Sequence, residues 1–171
     1  PRSDLSVENL IILSRADPII CGHSTETRNL AEAACNLGVR NVHVVSYPLD
    51  VLASSGLPLK PENSVEAYSP GITVDRPAPI GDYKVLDGRL GAAISGHLIN
   101  LLAKLPGKTA VMDLYLVPHG QMVMQAVESC CRSGISSAPV TIGEAVGSDI
   151  TNVVSNALAT GQSGAAAPVS Y

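Results

Sequence analysis

The sequence has no phenylalanine and no tryptophan, and its 5 tyrosines are its only aromatic residues. An interior without large rings must be filled by Ile, Val, Leu and Ala; at 46% apolar residues the chain has enough of them for a core. Positive charge is scarce as well. Lys and Arg number 11 against 15 Asp and Glu, a formal net charge of −4, which excludes a non-specific nucleic-acid binder relying on a basic stripe. No apolar run approaches the roughly 20 residues of a membrane span, and no basic start leads into an apolar secretion signal.

The cysteines, Cys21, Cys35, Cys130 and Cys131, form no Cys-x-x-Cys pair and have no His at zinc spacing. They read as buried free thiols, so the expected setting is reducing and cytoplasmic, with no metal. Several phosphate and nucleophile signatures are missing too: the Gly-x-x-x-x-Gly-Lys-[Ser/Thr] loop, the Gly-x-Ser-x-Gly elbow and the full Gly-x-Gly-x-x-Gly dinucleotide pattern.

What is present is alternation. Ile19-Ile20-Cys21 is too short for a helix and suits a buried strand, and Gly22 ends it. Ser24 and Thr25 are placed to accept from free amides at a helix start, with Glu26 complementing the helix dipole. The helix body carries Leu30, Ala33, Ala34 and Leu37 at spacings of three and four, and Gly38 stops it. Val42, Val44 and Val45 form the next strand. Upstream, the apolar run Leu10 to Leu13 reads as a helical turn or a piece of broken strand before Asp17-Pro18. Downstream, Ile72 and Val74 mark a strand. Leu90, Ile94, Leu98, Leu101, Leu102 and Leu105 stripe a helix ended by Pro106-Gly107, and Thr109 to Val117 is a strand. Met122, Ala126 and Cys130 stripe a helix closed by Gly134, Val140-Thr141-Ile142 is a strand, and Ser148 and Asp149 cap a last helix. Strands alternating with helices predict an α/β fold: a Rossmann-like three-layer sandwich with a mostly parallel sheet. The 171 residues make one domain; without an initiating Met, and with a small-residue tail from Gly161 to Tyr171, the chain is expected to be part of a longer protein.

Open α/β sheets bind ligands beyond the carboxyl ends of their strands. Polar residues follow the predicted strands at Gly22-His23-Ser24, at His119-Gly120, and at Gly143-Glu144 leading to Ser148 and Asp149. If the strands are parallel, His23, His119 and Glu144 converge on one cleft, and the amides opening the first helix can hold an anion. His43, among valines, reads as a satisfied sheet residue and His97 as exposed or stacked on its helix.

The run from Gly22 to Ala34, followed by Gly38 to Val45, resembles the opening of retaining glycosyltransferases of the GT-B fold, family 4-like. The later order is similar too: Gly71 to Asp75, Asp113 to His119, Pro139 to Ile142, and Glu144 to Val154 with Gly164 to Ala167. The resemblance implies the N-terminal, acceptor-side half of a two-domain enzyme whose C-terminal donor domain is absent. Its activity would be transfer of a sugar from a nucleotide-diphosphate-sugar to a hydroxyl, with no cofactor. It places Gly22 and His23 near the diphosphate and Ser24 in the same loop. His119 and Glu144 become catalytic candidates, with Ser148 and Asp149 beside them at the acceptor. Many family members carry a His after the strand matching Val140 to Ile142; here Gly143 and Glu144 follow it. The alternative is a non-catalytic or regulatory Rossmann-like binding module. A dinucleotide-dependent oxidoreductase is disfavoured, because Asp50 follows a Pro and does not end the strand as a ribose-binding acid does.

Overall fold

A computed structural model describes residues 7–54, 56, 58–84, 87–114, 120–135 and 140–143. They form a 5-stranded sheet of order β3-β2-β1-β4-β5 in which every neighbouring pair is parallel. The strands are β1 (Asn9–Leu13), β2 (Asn41–Val45), β3 (Ile72–Asp75), β4 (Thr109–Asp113) and β5 (Val140–Gly143). The helices are α1 (Gly22–Asn36), α2 (Leu49–Ser54), α3 (Gly88–Lys104) and α4 (Gly120–Arg132). The expected Rossmann-like α/β sandwich is the fold observed.

The central strand is not the one expected at Ile19. It is the earlier run Leu10 to Leu13, which pairs with β2 on one side and β4 on the other. A strand buried on both faces needs a continuous apolar run, and this segment supplies one. Ile19 makes a single antiparallel bridge to Leu59, and Pro18 before it has no N–H to extend a ladder. Asn9, fully buried at the start of β1, ties three strands together. Its Nδ2 donates to Thr109 Oγ1 at 3.2 Å and to the Pro106 carbonyl at 2.7 Å, while its Oδ1 accepts from Asn41 Nδ2 at 2.7 Å.

Alternation along each strand divides the core between the two faces of the sheet. Ile12, Val42 and Val44 face α1, with Ala31 and Ala34 against them. Ile11, Leu13, Val45 and Val111 face the other way, toward α3 and α4. On α3 the predicted stripe holds: Leu90, Ile94, Leu98, Leu101 and Leu102 are buried. Asp87 caps that helix by accepting from the Arg89 amide at 2.9 Å. On α4, Ala126 and Cys130 are buried as expected, joined by Val127.

The buried stripe of α1 lies elsewhere than the sequence indicated. It consists of Ser24, Thr27, Ala31 and Ala34, while Ala33 is exposed and Leu37 is 86% exposed. The N-cap is Cys21, without a side-chain cap bond, so Ser24 and Thr25 lie inside the helix and no acid occupies its first turn. The C-terminus follows expectation. Gly38 (φ 92°) closes a Schellman motif, with its own N–H on the Cys35 carbonyl and the Val39 N–H on the Ala34 carbonyl. Gly38→Ala is therefore expected to lower unfolding free energy by about 1–2 kcal/mol, since a Cβ is strained in this backbone conformation. Urea denaturation checks this; an unchanged midpoint would refute it.

Candidate functional site

The carboxyl ends of the strands carry the polar side chains that no packing argument requires. Sheet order reverses between β1 and β4, the place where open parallel sheets hold ligands. Asp113, 2% exposed, ends β4 there, in register with Leu13.

The connection from β1 to α1 is Ser14 to Cys21, longer than the glycine turn expected. Its centre is Asp17, whose side chain is 3% exposed. Arg28 Nε of α1 donates to Asp17 Oδ2 at 2.6 Å, and Lys60 Nζ reaches Oδ1 at 2.7 Å. Burial raises the Asp17 pKa, but hydrogen bonds and charges of Lys60 and Arg28 outweigh it and hold the carboxyl below its ordinary value. Arg76, just past β3, donates to the Asp17 carbonyl and, at 2.6 Å, to the Tyr47 carbonyl. Arg28 also lies 4.0 Å above the Tyr68 ring and donates to the Glu66 carbonyl at 2.7 Å. These contacts bind the loop after β1, α1, the segment from Pro58 to Pro70 and the end of β3 into one rim.

Gly22 opens α1 at this rim, exposed, with open space where a Cβ would stand. His23 is half-buried beside it. Ser24 is 2% exposed, and its hydroxyl lies 3.4 Å from Cys21 Sγ. The buried Ser24 hydroxyl is thus turned toward Cys21 and not toward a ligand at this rim. His119, Glu144, Ser148 and Asp149 lie outside the described residues, as does the expected last helix.

Another cluster sits on the α3 face at the sheet edge. His43 Nδ1 of β2 is 2.9 Å from Asp75 Oδ2 at the end of β3, and His97 Nε2 of α3 approaches the same oxygen at 3.1 Å. Despite that distance the His97 contact is not a hydrogen bond. His43 does have the satisfied partner expected of a sheet histidine. His97 is neither fully exposed nor stacked: it is a half-buried tie between helix and edge strand. Separately, Tyr83 Oη donates to Asp50 at 2.9 and 3.1 Å. Burial, together with that bond and the carboxylate charge, pushes the phenol up to about 12.

Among the described residues no group of three His, Cys, Asp or Glu side chains is placed to hold a metal ion. Nor is any helix among them long and apolar enough to cross a membrane. The sequence reading missed the Asp17 rim and the Asp75 cluster. Arg28, Lys60 and Arg76 come from scattered positions with no common period. Asp75 meets His43 only once the β2–β3 register is known. Comparison with protein-family models, with curated proteins and with solved structures found no match.

Proposed function

We propose that this chain is the acceptor-side, N-terminal half of a retaining glycosyltransferase of the GT-B fold, acting with a donor domain that follows it in the parent protein. The observation carrying this reading is the all-parallel sheet of order β3-β2-β1-β4-β5, with α1 opening beside the β1–β4 switch point. In that arrangement the amides from Gly22 to Ser24 face the leaving diphosphate and stabilise its charge. His23 stands next to them. His119 and Glu144 are the candidates for proton handling at the acceptor hydroxyl, with Ser148 and Asp149 holding its other hydroxyls.

A second reading is a non-catalytic binding module. It is favoured by one feature: the β1–α1 loop is filled by the ion pairs of Asp17 and contains no glycine ahead of Gly22.

A few amide hydrogen bonds contribute only about 0.5–1.5 kcal/mol each, whereas millimolar affinity already needs roughly 4 kcal/mol. The isolated chain is therefore expected to bind nucleotide-sugars no tighter than about millimolar and to transfer no sugar. Calorimetric titration with a panel of nucleotide-sugars, beside turnover assays of the chain and its full-length parent, tests both readings. Turnover by the parent alone supports the transferase. Micromolar binding by the chain overturns the half-site argument, and an inactive parent favours the binding module.

A further inference from the structure

The Asp17 rim contains a cation without an acid. Arg28 and Lys60 share the Asp17 carboxylate, but Arg76 has no carboxylate within ion-pair distance among the described residues. Its contacts there are backbone carbonyls, those of Tyr47 and Asp17, which occupy two of the five N–H groups of a guanidinium. Burial lowers the Arg76 pKa, as expected where a charge is drawn from water without full compensation.

Tyr68, close enough to Arg76 to act on its charge, carries a hydroxyl that also lacks a partner among the described residues. That Oη is buried, while the ring beneath it carries Arg28. Buried hydroxyls are ordinarily paired, so this one is available to an acceptor. Lys60 contributes an ammonium whose side chain is 38% exposed and whose one ionic contact, with Asp17, engages one of three protons. The carboxylates nearest these groups are already engaged or face solvent. Asp17 is paired, Glu32 accepts from the Ser69 amide at 3.1 Å, Glu66 is exposed, and Asp75 is held by His43.

We propose that Arg76, Tyr68 and Lys60 form a binding site for a small oxyanion, a phosphate group, at the rim beyond β2 and β3. A tetrahedral oxyanion presents several acceptors at once, matching the free guanidinium N–H groups, a phenol and an ammonium. The assignment of that phosphate to the acceptor, making it a phosphorylated polyol, rests on the transferase reading; the anion site itself does not.

The test is titration of the 171-residue chain at constant ionic strength. The ligands are inorganic phosphate, a hexitol phosphate and the unphosphorylated hexitol, with the Arg76 Nε–H resonance as readout. Inorganic phosphate is expected to shift that resonance saturably, and the hexitol phosphate to compete for the same site. Lys60→Gln and Tyr68→Phe should each weaken binding by about tenfold, the loss of one charge-assisted hydrogen bond, with circular dichroism unchanged. Arg76→Lys keeps the charge but loses the fork and should weaken binding as well. No saturable shift, a shift that chloride reproduces, or affinities indifferent to Lys60→Gln and Tyr68→Phe would overturn the site. Hexitol binding as tight as its phosphate would overturn it also. Because sugar transfer is not the readout, an inactive parent would remove the transferase reading and leave the anion site standing. Absent anion binding would do the reverse.

Discussion

Asp17→Asn is expected to lower the unfolding free energy by about 2–4 kcal/mol at neutral pH. The carboxylate is almost completely buried and holds Arg28 at 2.6 Å and Lys60 at 2.7 Å. An amide of the same shape removes the negative charge and turns an NH2 toward one of the cations, leaving Arg28, with 16% of its side chain exposed, without its anion. Lys60 is free to swing into water, which keeps the loss below that of a pair buried on both sides.

The sign of the pH dependence follows from the direction of the Asp17 shift. Its folded pKa lies below the ordinary 3.8, so its stabilisation is fully present above that value. It is lost as pH falls through the folded pKa. The gap between the native chain and Asp17→Asn should therefore be widest near neutrality and close in acid below about pH 4. Urea unfolding of both chains at several pH values measures this, and a gap under about 1 kcal/mol at pH 7 would contradict it.

Leu98→Ala is expected to cost about 2–5 kcal/mol. Leu98 is fully buried in the middle of α3, in the cluster that includes Ile11, Leu13, Val45 and Val111. With no Phe or Trp in the chain, that cluster is mostly aliphatic side chains held by helix and strand backbones, poorly able to close the gap. Leu37→Ala, at an 86% exposed position, is the matched control and should stay within about 0.5 kcal/mol of the native chain. Similar losses at the two positions would show that α3 does not pack as described.

What the sequence disclosed was periodicity. The α3 stripe, the valines of β2 and the glycine ending α1 each follow from local spacing and backbone freedom, and each appears where expected. The error at β1 was a contest between similar apolar runs, Leu10 to Leu13 and Ile19 to Cys21. It is settled by pairing with β2 and β4, which no local window contains. The face of α1 was misjudged because small residues, Ser24, Thr27, Ala31 and Ala34, pack against the sheet while the more conspicuous Leu37 faces solvent. At the rim, Gly22 and His23 were expected in a loop before a helix and instead open the helix itself. Asp17, Lys60 and Arg76 were not expected there, because an ion-pair cluster assembled from separate loops has no period and no fixed spacing.

The order of the strands along the chain orders events during synthesis. β1 leaves the ribosome before the strands it pairs with, and β2 follows soon after to cover one of its edges. The other edge waits for β4: the Asn9 to Thr109 hydrogen bond joins residues separated by 100 positions. At about 5–20 residues per second, that interval is on the order of 5–20 seconds. Through it the edge of β1 that β4 will cover stays open, and α3, emerging just before β4, brings the aliphatic face that packs with Ile11 and Leu13. The nascent chain thus spends its most aggregation-exposed period with half of its sheet made and its centre open, a cost of building a parallel fold from the middle outward.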